Sequence, residues 1–417
     1  MSGLARAEAV WRGLRVVCVG EFALGSRRAH AINVVKTAGG FVRLGCEVTL
    51  LCAGAGSSPD SADAVGRDVG DILASLGEPD LRVETIAGVS DRTHPPGSDA
   101  RGEAVGAWAV ERAAALDAGV MYARQLHAPI WWADRGGTAI VETHAHVGDA
   151  KAAFQRVLDA TARRDRPIAA LATISQRLRA HYVERGAASE RVHVVPDGVD
   201  VDLFTRPADP AGWPADPSPA RHPRAVYAGH LYDWKGIPAI LDAAARLPSV
   251  WFDVYGGAES DIARHRATIG ARGLANVVLR GWIEHAALPG HLWHADALLL
   301  PPGLGDPSKD WTSPVKLGEY LAAGGSIVAS AIPALRDWVD ERVVRWFEPD
   351  DGASMARAIE AALGETSDGA AARRSRAMEL ARAWSYPARA ARMLGAALSS
   401  GPAPALRRGL EELPLLR

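Results

Sequence analysis

Short apolar runs alternate with stretches of helical periodicity along almost the whole chain. In the first half, the runs that predict β-strands are residues 14–19, 47–51, 82–86, 120–123, 139–142, 170–174 and 192–195. Residues 29–44, between the first two runs, repeat apolar side chains every three or four positions, as an amphipathic helix does. Strands that alternate with helices in this way indicate βαβ units and a parallel sheet.

The same alternation starts again in the second half. Its strand-like runs are residues 225–227, 251–255, 276–279, 297–300, 326–329 and 343–347. Residues 206–224 contain too many prolines for a regular helix or strand, and they predict a linker. A chain of 417 residues also exceeds the size at which one hydrophobic core usually stops growing, about 250–300 residues. We therefore predict an α/β protein with two Rossmann-like, doubly wound domains.

The domain boundaries follow from this pattern. We predict an N-terminal domain over residues 1–205, the linker over 206–224 and a C-terminal domain over 225–384. Residues 385–400 have the period of an amphipathic helix, and residues 401–417 form a tail without a clear pattern. Residues 91–101 contain consecutive prolines and a glycine, and they predict a mobile loop.

Charge and composition narrow the classes of function. The formal net charge of -2 argues against a general affinity for nucleic acid. The apolar run 295–302 is far shorter than the ~20 residues that a membrane span needs, and residues 1–15 lack the apolar core of a signal peptide. Cys18, Cys46 and Cys52 are odd in number and lack metal-ligand spacing, which fits small buried side chains in a reducing cytosol. We expect a cytoplasmic protein without an integral membrane segment.

Loops that follow strands are the candidate sites, because doubly wound sheets bind ligands at the carboxyl ends of their strands. Residues 20–28 place Gly20 and Gly25 between the first strand and the first helix, where backbone N–H groups can face an anion. An ordinary loop explains these glycines equally well. Residues 196–198, Pro-Asp-Gly, follow the last strand of this half and are typical of a plain turn.

His144 follows a strand in the sequence Glu-Thr-His-Ala-His, and we expect its side chain to lie in a ligand cleft. His144, His146 and Asp149 also have a spacing that could suit a metal ion. Zinc needs three or four ligands, and no downstream cluster clearly supplies the rest. A metal site and a purely structural histidine remain as alternatives.

Two lysines stand after strands in the second half, in a chain with only five lysines. Lys235 lies at a helix start, where an ammonium group and the helix dipole both stabilise a phosphate. Lys316 lies in a helix that Pro314 begins, and Glu319 is three residues further along the same face. Solvated surface side chains are the alternative interpretation of both lysines.

Four segments of the chain resemble the large, retaining glycosyltransferase family 4. These segments are VVPDGVDVDLF (194–204), YAGHLYDWKG (227–236), ADALLLPP (295–302) and SPVKLGEYLAAG (313–324). The resemblance extends from about residue 16 to residue 394, and it depends on the order and spacing of the segments together. It implies the GT-B fold, in which two Rossmann-like domains face each other across a cleft. The helix at 385–400 would then cross back to the N-terminal domain.

The resemblance also implies roles for individual residues. The catalytic residues would be His144 near the transferred sugar, Lys235 at the donor diphosphate and Glu319 at the nucleotide ribose. The other donor-binding residues would be Gly25, His230, Ser313, Lys316 and Leu317. The acceptor would bind to loops of the N-terminal domain, through Arg28, His30 and Arg124.

Two positions depart from the family pattern. Trp311 stands where the first glutamate of an E-x7-E motif is usual, and His230 stands where an arginine is usual. An indole donates one hydrogen bond and accepts none, so Trp311 cannot read sugar hydroxyls as a carboxylate does. We expect backbone amides between Gly303 and Ser313 to read them instead, or the donor sugar to be unusual.

These features predict a retaining glycosyltransferase that moves a sugar from a nucleotide-diphosphate donor, of uridine or guanosine type, to a small-molecule acceptor. The setting would be specialised-metabolite or glycoconjugate biosynthesis. The enzyme would use no metal and no cofactor, because the nucleotide sugar is a substrate, and a homodimer is left open. The alternatives are a catalytically degenerate sugar-nucleotide-binding protein and, less favoured, a metal-dependent hydrolase built on His144, His146 and Asp149.

Overall fold

The computed structural model describes residues 10–26, 28–54, 64–90, 93–95, 98–144, 152–209 and 222–399. The chain divides into two compact units. The first unit comprises Met1–Gly198 and Ala383–Arg417, and the second comprises Val199–Arg382. The chain therefore leaves the first unit once and returns to it at its C-terminal end.

The first unit contains a seven-stranded parallel sheet in the order β3-β2-β1-β4-β5-β6-β7. Its strands are β1 (Arg15–Ala23), β2 (Glu47–Ala53), β3 (Arg82–Ile86), β4 (Val120–Ala123), β5 (Thr138–Thr143), β6 (Ala170–Thr173) and β7 (Val192–Val194). The direction of winding reverses between β1 and β4. In doubly wound folds this reversal opens a crevice at the carboxyl ends of the strands.

The helices of the first unit are α1 (Ala29–Arg43), α2 (Val69–Ser75), α3 (Asp99–Ala115), α4 (His127–Asp134), α5 (Ala152–Ala162), α6 (Gln176–Glu184) and the last helix of the chain, α15 (Tyr386–Ser399). Side-chain caps begin three of them: Asp68 caps α2, Ser98 caps α3 and Ser175 caps α6. α15 packs against α1 and against the β5 and β6 strands.

The second unit contains a six-stranded parallel sheet in the order β10-β9-β8-β11-β12-β13. Its strands are β8 (Arg224–Ala228), β9 (Trp251–Tyr255), β10 (Val277–Gly281), β11 (Ala297–Leu300), β12 (Ser326–Ser330) and β13 (Val344–Phe347). All residues of the central strands β8 and β11 are buried, which explains why all of them except Arg224 are apolar or aromatic. The winding reverses between these two strands.

The helices of the second unit are α7 (Val201–Phe204), α8 (Ile237–Arg246), α9 (Glu259–Ala271), α10 (Leu288–Trp293), α11 (Val315–Ala323), α12 (Pro333–Arg336), α13 (Gly352–Leu363) and α14 (Ser367–Ala383). α11 ends at Gly324, whose φ of 73° is a left-handed conformation that suits glycine. The predicted α/β fold with two parallel sheets is thus confirmed.

Some local predictions differ from the structure. The predicted loop over 91–101 is wrong at its end, because α3 begins at Asp99 and the Ser98 hydroxyl accepts a hydrogen bond from the Arg101 amide at 3.3 Å. The predicted linker is one residue too long, because β8 begins at Arg224. Residues 210–221 of that linker and the tail 401–417 lie outside the described residues.

Residues 199–204 belong to the second unit, although they precede the predicted linker. α7 packs against α11, and Phe204 is fully buried. The Phe204 carbonyl accepts a hydrogen bond from Trp293 Nε1 at 2.8 Å. These contacts fix the start of the second unit before its first strand.

The three cysteine thiols, of Cys18, Cys46 and Cys52, are unpaired and buried. Burial raises the pKa of each thiol, to about 12 for Cys46 and Cys52. Thiols that stay protonated are poor nucleophiles, so they fit the predicted role of small core side chains. Within the described part of the chain, every helix is too short or too polar to cross a membrane.

Candidate functional site

The second unit has a pocket at the carboxyl ends of β8 and β11, where its sheet reverses direction. Its lining includes the last residue of β11 with the two prolines that follow it, at 300–302, and the polar residues Tyr227, Lys235, Asp306, Thr312 and Lys316. This is the position in which doubly wound sheets bind ligands. Both lysines that the sequence singled out therefore line one pocket.

Lys235 ends the loop that follows β8. The next residue, Gly236, has a φ of 81°, and a β-carbon there would lie 1.8 Å from the Pro301 carbonyl oxygen, so only glycine fits. This close approach brings the loop against the end of β11. Lys235 Nζ forms an ion pair with Asp306 Oδ2 at 2.6 Å, and the lysine side chain is 29% exposed. The ammonium group thus lies in the pocket with a fixed partner.

Lys316 lies in the first turn of α11 and reaches back to β8. Its Nζ lies 3.3 Å from the Tyr227 hydroxyl and 4.6 Å from the centroid of the Tyr227 ring. The Tyr227 hydroxyl donates its proton to the His230 carbonyl at 2.6 Å, so it can act only as an acceptor toward Lys316. Burial and the nearby charge of Lys235 lower the pKa of Lys316 to about 7. The pocket therefore holds a second amine whose charge depends on pH.

Glu319 is buried on the next turn of α11, and its carboxylate has a hydrogen-bond partner of its own. Glu319 Oε1 lies 2.9 Å from Nε2 of His285, in the loop after β10. The His285 ring packs at a tilt on Phe204, with the centroids 5.2 Å apart. The shared helical face predicted for Lys316 and Glu319 is therefore present, but each side chain has its own partner.

The other donor-binding candidates of the second unit lie close in sequence to residues that line the pocket but do not line it themselves. His230 is exposed and stacks on Tyr232, and Tyr232 stacks on Trp234, with centroids 5.1 Å and 4.8 Å apart. Desolvation of the ring by its neighbours and the charges of Lys316 and Lys235 lower the pKa of His230, so the ring is neutral near pH 7 and carries no phosphate-binding charge. Ser313 is buried before α11, and the Leu317 side chain lies in the core at 1% exposure. Leu317 can offer a ligand only its backbone.

In the first unit, His144 comes directly after β5 and contacts two carboxylates. Its Nε2 hydrogen bonds with Glu142 Oε1 and lies 3.6 Å from Asp197 Oδ1. Asp197 belongs to the predicted Pro-Asp-Gly turn, and its Oδ1 also accepts a hydrogen bond from Asn33 Nδ2 at 2.8 Å. The His144 side chain is 17% exposed, so one edge of the ring remains accessible.

Glu142 is fully buried and bound by an arginine from the last helix. Arg389 Nη2 lies 2.7 Å from Glu142 Oε1, and the Tyr122 hydroxyl donates to Glu142 Oε2 at 2.5 Å. Burial opposes ionisation of Glu142, but the charges of Arg389 and His144 outweigh it and hold the pKa well below its usual range. Glu142 is thus a carboxylate at neutral pH, and it fixes the position of His144.

Three side chains in the region of His144 lie close enough together to be possible metal ligands. Glu142, His144 and Asp197 have ligand atoms within 4.8 Å of one another. Glu142 already has the Arg389 guanidinium as its positive partner, at the same oxygen that faces His144. His146 and Asp149, the other members of the predicted metal set, lie outside the described residues.

The predicted acceptor residues lie at the carboxyl edge of the first sheet. Arg28 and His30 are exposed at the start of α1. Arg124 follows β4, donates to the His30 carbonyl at 3.5 Å and has its Nε 4.0 Å from Glu142 Oε1. Gly25 lies in the turn after β1 and has a φ of 81°. It belongs to the first unit, whereas the other donor-binding candidates belong to the second.

Four side chains that bind the candidate site residues or their neighbours were not predicted from the sequence. They are Tyr227, Asp306, His285 and Arg389. Asp306 and His285 each lie in a loop that follows a strand, which is a signal that could have been used. Arg389 is a charged residue on the buried face of an amphipathic helix, three residues from the buried Tyr386 and four from the buried Met393. A charge at a core position of a helix usually indicates a buried partner.

Comparison with known proteins agrees with this geometry. Residues 222–365 match the profile of the family Glycosyl transferases group 1. This region contains the whole pocket with Lys235, Asp306 and Lys316, and it also contains Glu319. The resemblance found in the sequence is thus supported at the level of group 1 glycosyltransferases over residues 222–365, and the narrower family 4 remains a prediction. A comparison with curated protein sequences finds no match.

Solved structures share the fold along nearly the whole chain. HepE from Anabaena, crystallised with UDP and glucose, has a TM-score of 0.64 and 16% identity, over 93% of this chain and 100% of that one. A glycosyltransferase from Rickettsia africae has a TM-score of 0.66 and 15% identity, over 94% and 99%. Sucrose-phosphate synthase from Thermosynechococcus elongatus has a TM-score of 0.64 and 18% identity, over 91% and 97%. The chain has the GT-B fold of these proteins.

Proposed function

We propose that the protein is a glycosyltransferase that moves a sugar from a nucleotide-diphosphate donor to a small-molecule acceptor, with retention at the anomeric carbon. The observation that carries the proposal is that Lys235 and Lys316 both line one pocket. This pocket lies in the region that matches group 1 glycosyltransferases. Two amines at the carboxyl ends of the strands suit a diphosphate, whose charge grows as the sugar leaves. Glu319, on the same helix, would bind the ribose hydroxyls.

Several finer parts of this proposal come from the resemblance alone. These are retention, independence of metal ions and cofactors, and the role of His144 near the transferred sugar. The acceptor residues Arg28, His30 and Arg124, the cytoplasmic location and a homodimer are likewise proposals. HepE was crystallised with UDP and glucose, which makes UDP and UDP-glucose the first compounds to test.

The experiment is a turnover assay with a panel of uridine and guanosine diphosphate sugars, with and without a chelator, followed by NMR of the product. We expect one donor to be consumed, the product to keep the anomeric configuration of the donor, and the rate to be unchanged by chelator. A product of inverted configuration, or a chelator-sensitive rate that added metal restores, would contradict the corresponding part of the proposal.

A sugar-nucleotide-binding protein without activity is the second candidate. It is favoured by Trp311, which cannot accept a hydrogen bond, and by the neutral ring of His230 where relatives place an arginine. The same panel separates the two candidates. A protein that binds nucleotide sugars in calorimetry and leaves all of them unconsumed, even with a broad set of acceptors, belongs to this second class.

We expect the affinity for UDP to fall as the pH rises above 7. In the free pocket the pKa of Lys316 is about 7, and a bound diphosphate favours the ammonium form and raises that pKa. Binding then takes up a proton, so the dissociation constant rises by up to about tenfold per pH unit until the pH passes the pKa of the complex. Calorimetry between about pH 7.5 and about pH 9 measures this slope, well above the phosphate ionisation near pH ~6.

The matched control is Lys316→Gln, which keeps an unbranched polar side chain, one bond shorter, and has no charge to lose. Its affinity for UDP should resemble that of the unaltered protein at high pH and should change little across the same range. Equal slopes in the two proteins would show that another group titrates, and this prediction would then be wrong.

A further inference from the structure

Asp306 is a preorganised carboxylate inside the pocket. It lies in the loop between β11 and α11 and is 2% exposed. Its Oδ1 accepts hydrogen bonds from the Ser308 amide at 2.8 Å and from the Ser308 hydroxyl at 2.7 Å. The loop is anchored to the β8 side of the pocket, because the Gly303 amide donates to the Trp234 carbonyl at 2.8 Å. The position of the carboxylate is thus fixed before any ligand binds.

One acceptor position of this carboxylate is left for a ligand. An ionised carboxylate has about four lone-pair sites, two on each oxygen. Ser308 fills both sites of Oδ1, and Lys235 Nζ fills one site of Oδ2 at 2.6 Å. Among the residues that the structure describes, these are the hydrogen-bond partners of the Asp306 carboxylate, so Oδ2 retains one unused site in a residue that lines the pocket.

Asp306 accepts hydrogen bonds but cannot donate them at neutral pH. Burial favours its protonated form, but the hydrogen bonds from Lys235 and Ser308 outweigh burial and lower the pKa of the carboxyl below its usual value. An acceptor-only group beside two amines suits a ligand that combines an anion with neighbouring hydroxyl donors. A nucleotide-diphosphate sugar has this combination, with the sugar joined directly to the phosphate.

We propose that Asp306 determines donor specificity, because its Oδ2 accepts a hydrogen bond from a hydroxyl of the transferred sugar while Lys235 remains bound to the same oxygen. The inference rests on the proposed function and replaces the earlier expectation that backbone amides of 303–313 read the sugar alone. Trp311 in the same loop cannot accept such a bond, so the acceptor comes from a residue five positions earlier.

The test compares the unaltered protein with Asp306→Asn by calorimetry, using UDP, UDP-glucose, UDP-galactose, GDP and GDP-mannose. The informative quantity is the gain in affinity of each sugar nucleotide over its parent diphosphate. For the sugar nucleotide that shows the largest gain with the unaltered protein, we expect this gain to be at least about tenfold smaller with Asp306→Asn. A site built to bind a hydroxyl loses most of its preference without the acceptor. Affinity for the parent diphosphate should stay equal or increase, because a negative charge near the phosphates has been removed.

Asp350→Asn is the matched control. Asp350 Oδ2 holds the same loop by accepting from the Leu304 amide at 2.8 Å, and Asp350 has a φ of 62°, which asparagine tolerates. Asp350 does not line the pocket described above. This variant removes the same type of charge from a residue that holds the same loop from outside it, and it should leave the sugar gain unchanged. An equal loss in both variants would indicate a loop defect and would overturn the assignment.

Other outcomes separate failure of this inference from failure of the proposed function. Equal weakening of the diphosphate and its sugar in Asp306→Asn would mean that Asp306 only positions Lys235, and the inference would be wrong. The inference would also be wrong if the unaltered protein binds diphosphates but binds no sugar nucleotide more tightly than its parent diphosphate. If it binds no compound of the panel and shows no turnover with it, the proposed function fails as well.

Discussion

Replacing Lys235 with alanine is expected to weaken UDP binding by about 100-fold or more. Loss of a charge-assisted contact with phosphate alone removes about 1.5–3 kcal/mol of binding free energy. The structure adds a second penalty, since Asp306 loses its ion-pair partner at 2.6 Å and its buried negative charge then faces the diphosphate. Calorimetry with UDP measures the loss, and thermal unfolding checks that the variant remains folded.

The two penalties are separable with a second substitution. The double variant Lys235→Ala, Asp306→Asn removes the unpaired carboxylate, so it should bind UDP about 5–10-fold more tightly than Lys235→Ala alone. Lys309→Ala is the control from the same loop. Lys309 is 36% exposed and its Nζ lies 3.6 Å from its neighbour Asp310, and its removal should change the affinity by less than about threefold. Unchanged UDP affinity in Lys235→Ala would show that the lysine is only a surface group.

Most strands were predictable because they are short, mainly apolar runs, and the central strands β4, β8 and β11 are buried on both faces. The predicted bounds of β4, β9 and β11 coincide with those in the structure, since turn residues flank each run. The start of α3 was not predictable in the same way. Consecutive prolines at 95–96 suggested a loop through Arg101, but the short-range bond of Ser98 to the helix amide determines where α3 begins.

The location of the pocket could be predicted from the sequence, but the partners of its charged side chains could not. Lys235 and Lys316 follow strands of one parallel sheet, and the carboxyl ends of such strands meet at the same edge. The partner of Lys235 is Asp306, 71 positions away in the sequence. No local pattern links residues so far apart, because the contact depends on how β8 and β11 lie side by side.

The role of the last helix is another feature that depends on contacts distant in sequence. Its amphipathic period was evident, and an apolar face against a core was expected. Arg389 on this face is fully buried and reaches Thr37, 352 positions earlier, as well as Glu142 next to His144. The sequence alone gave no reason to connect a C-terminal arginine with a histidine after β5.

Replacing Arg389 with methionine is therefore expected to destabilise the first unit by about 3–5 kcal/mol, the usual cost of removing one partner from a buried ion pair. Glu142 is left buried and charged without its guanidinium partner. The Pro196 carbonyl also loses the hydrogen bond that it accepts from Arg389 Nε at 2.9 Å. Burial opposes the charged form of Arg389, but Glu142, Tyr122 and Asp197 together outweigh it and raise the pKa, so the pair stays ionised at any ordinary pH.

Hydrogen exchange followed by mass spectrometry measures this loss within one molecule. Peptides from α1 and α15 should exchange much faster in Arg389→Met, whereas peptides from α8 and α13 of the second unit serve as an internal reference. Arg392→Met is the matched control, because Arg392 lies three residues further along α15 and donates to the Ala383 carbonyl at 2.6 Å. Its loss should cost only about 0.5–1.5 kcal/mol, as for a single hydrogen bond.

The double variant Arg389→Met, Glu142→Gln decides whether charge imbalance or lost packing causes the damage. Removing both charges should restore a large part of the lost stability, since a buried ion pair replaced as a whole is often close to neutral in energy. Donor turnover should not recover with it, because the neutral amide no longer holds the His144 ring as the carboxylate does. Recovery of stability together with activity would show that Glu142 serves only to neutralise Arg389, and stability unaffected by Arg389→Met would refute the buried pair.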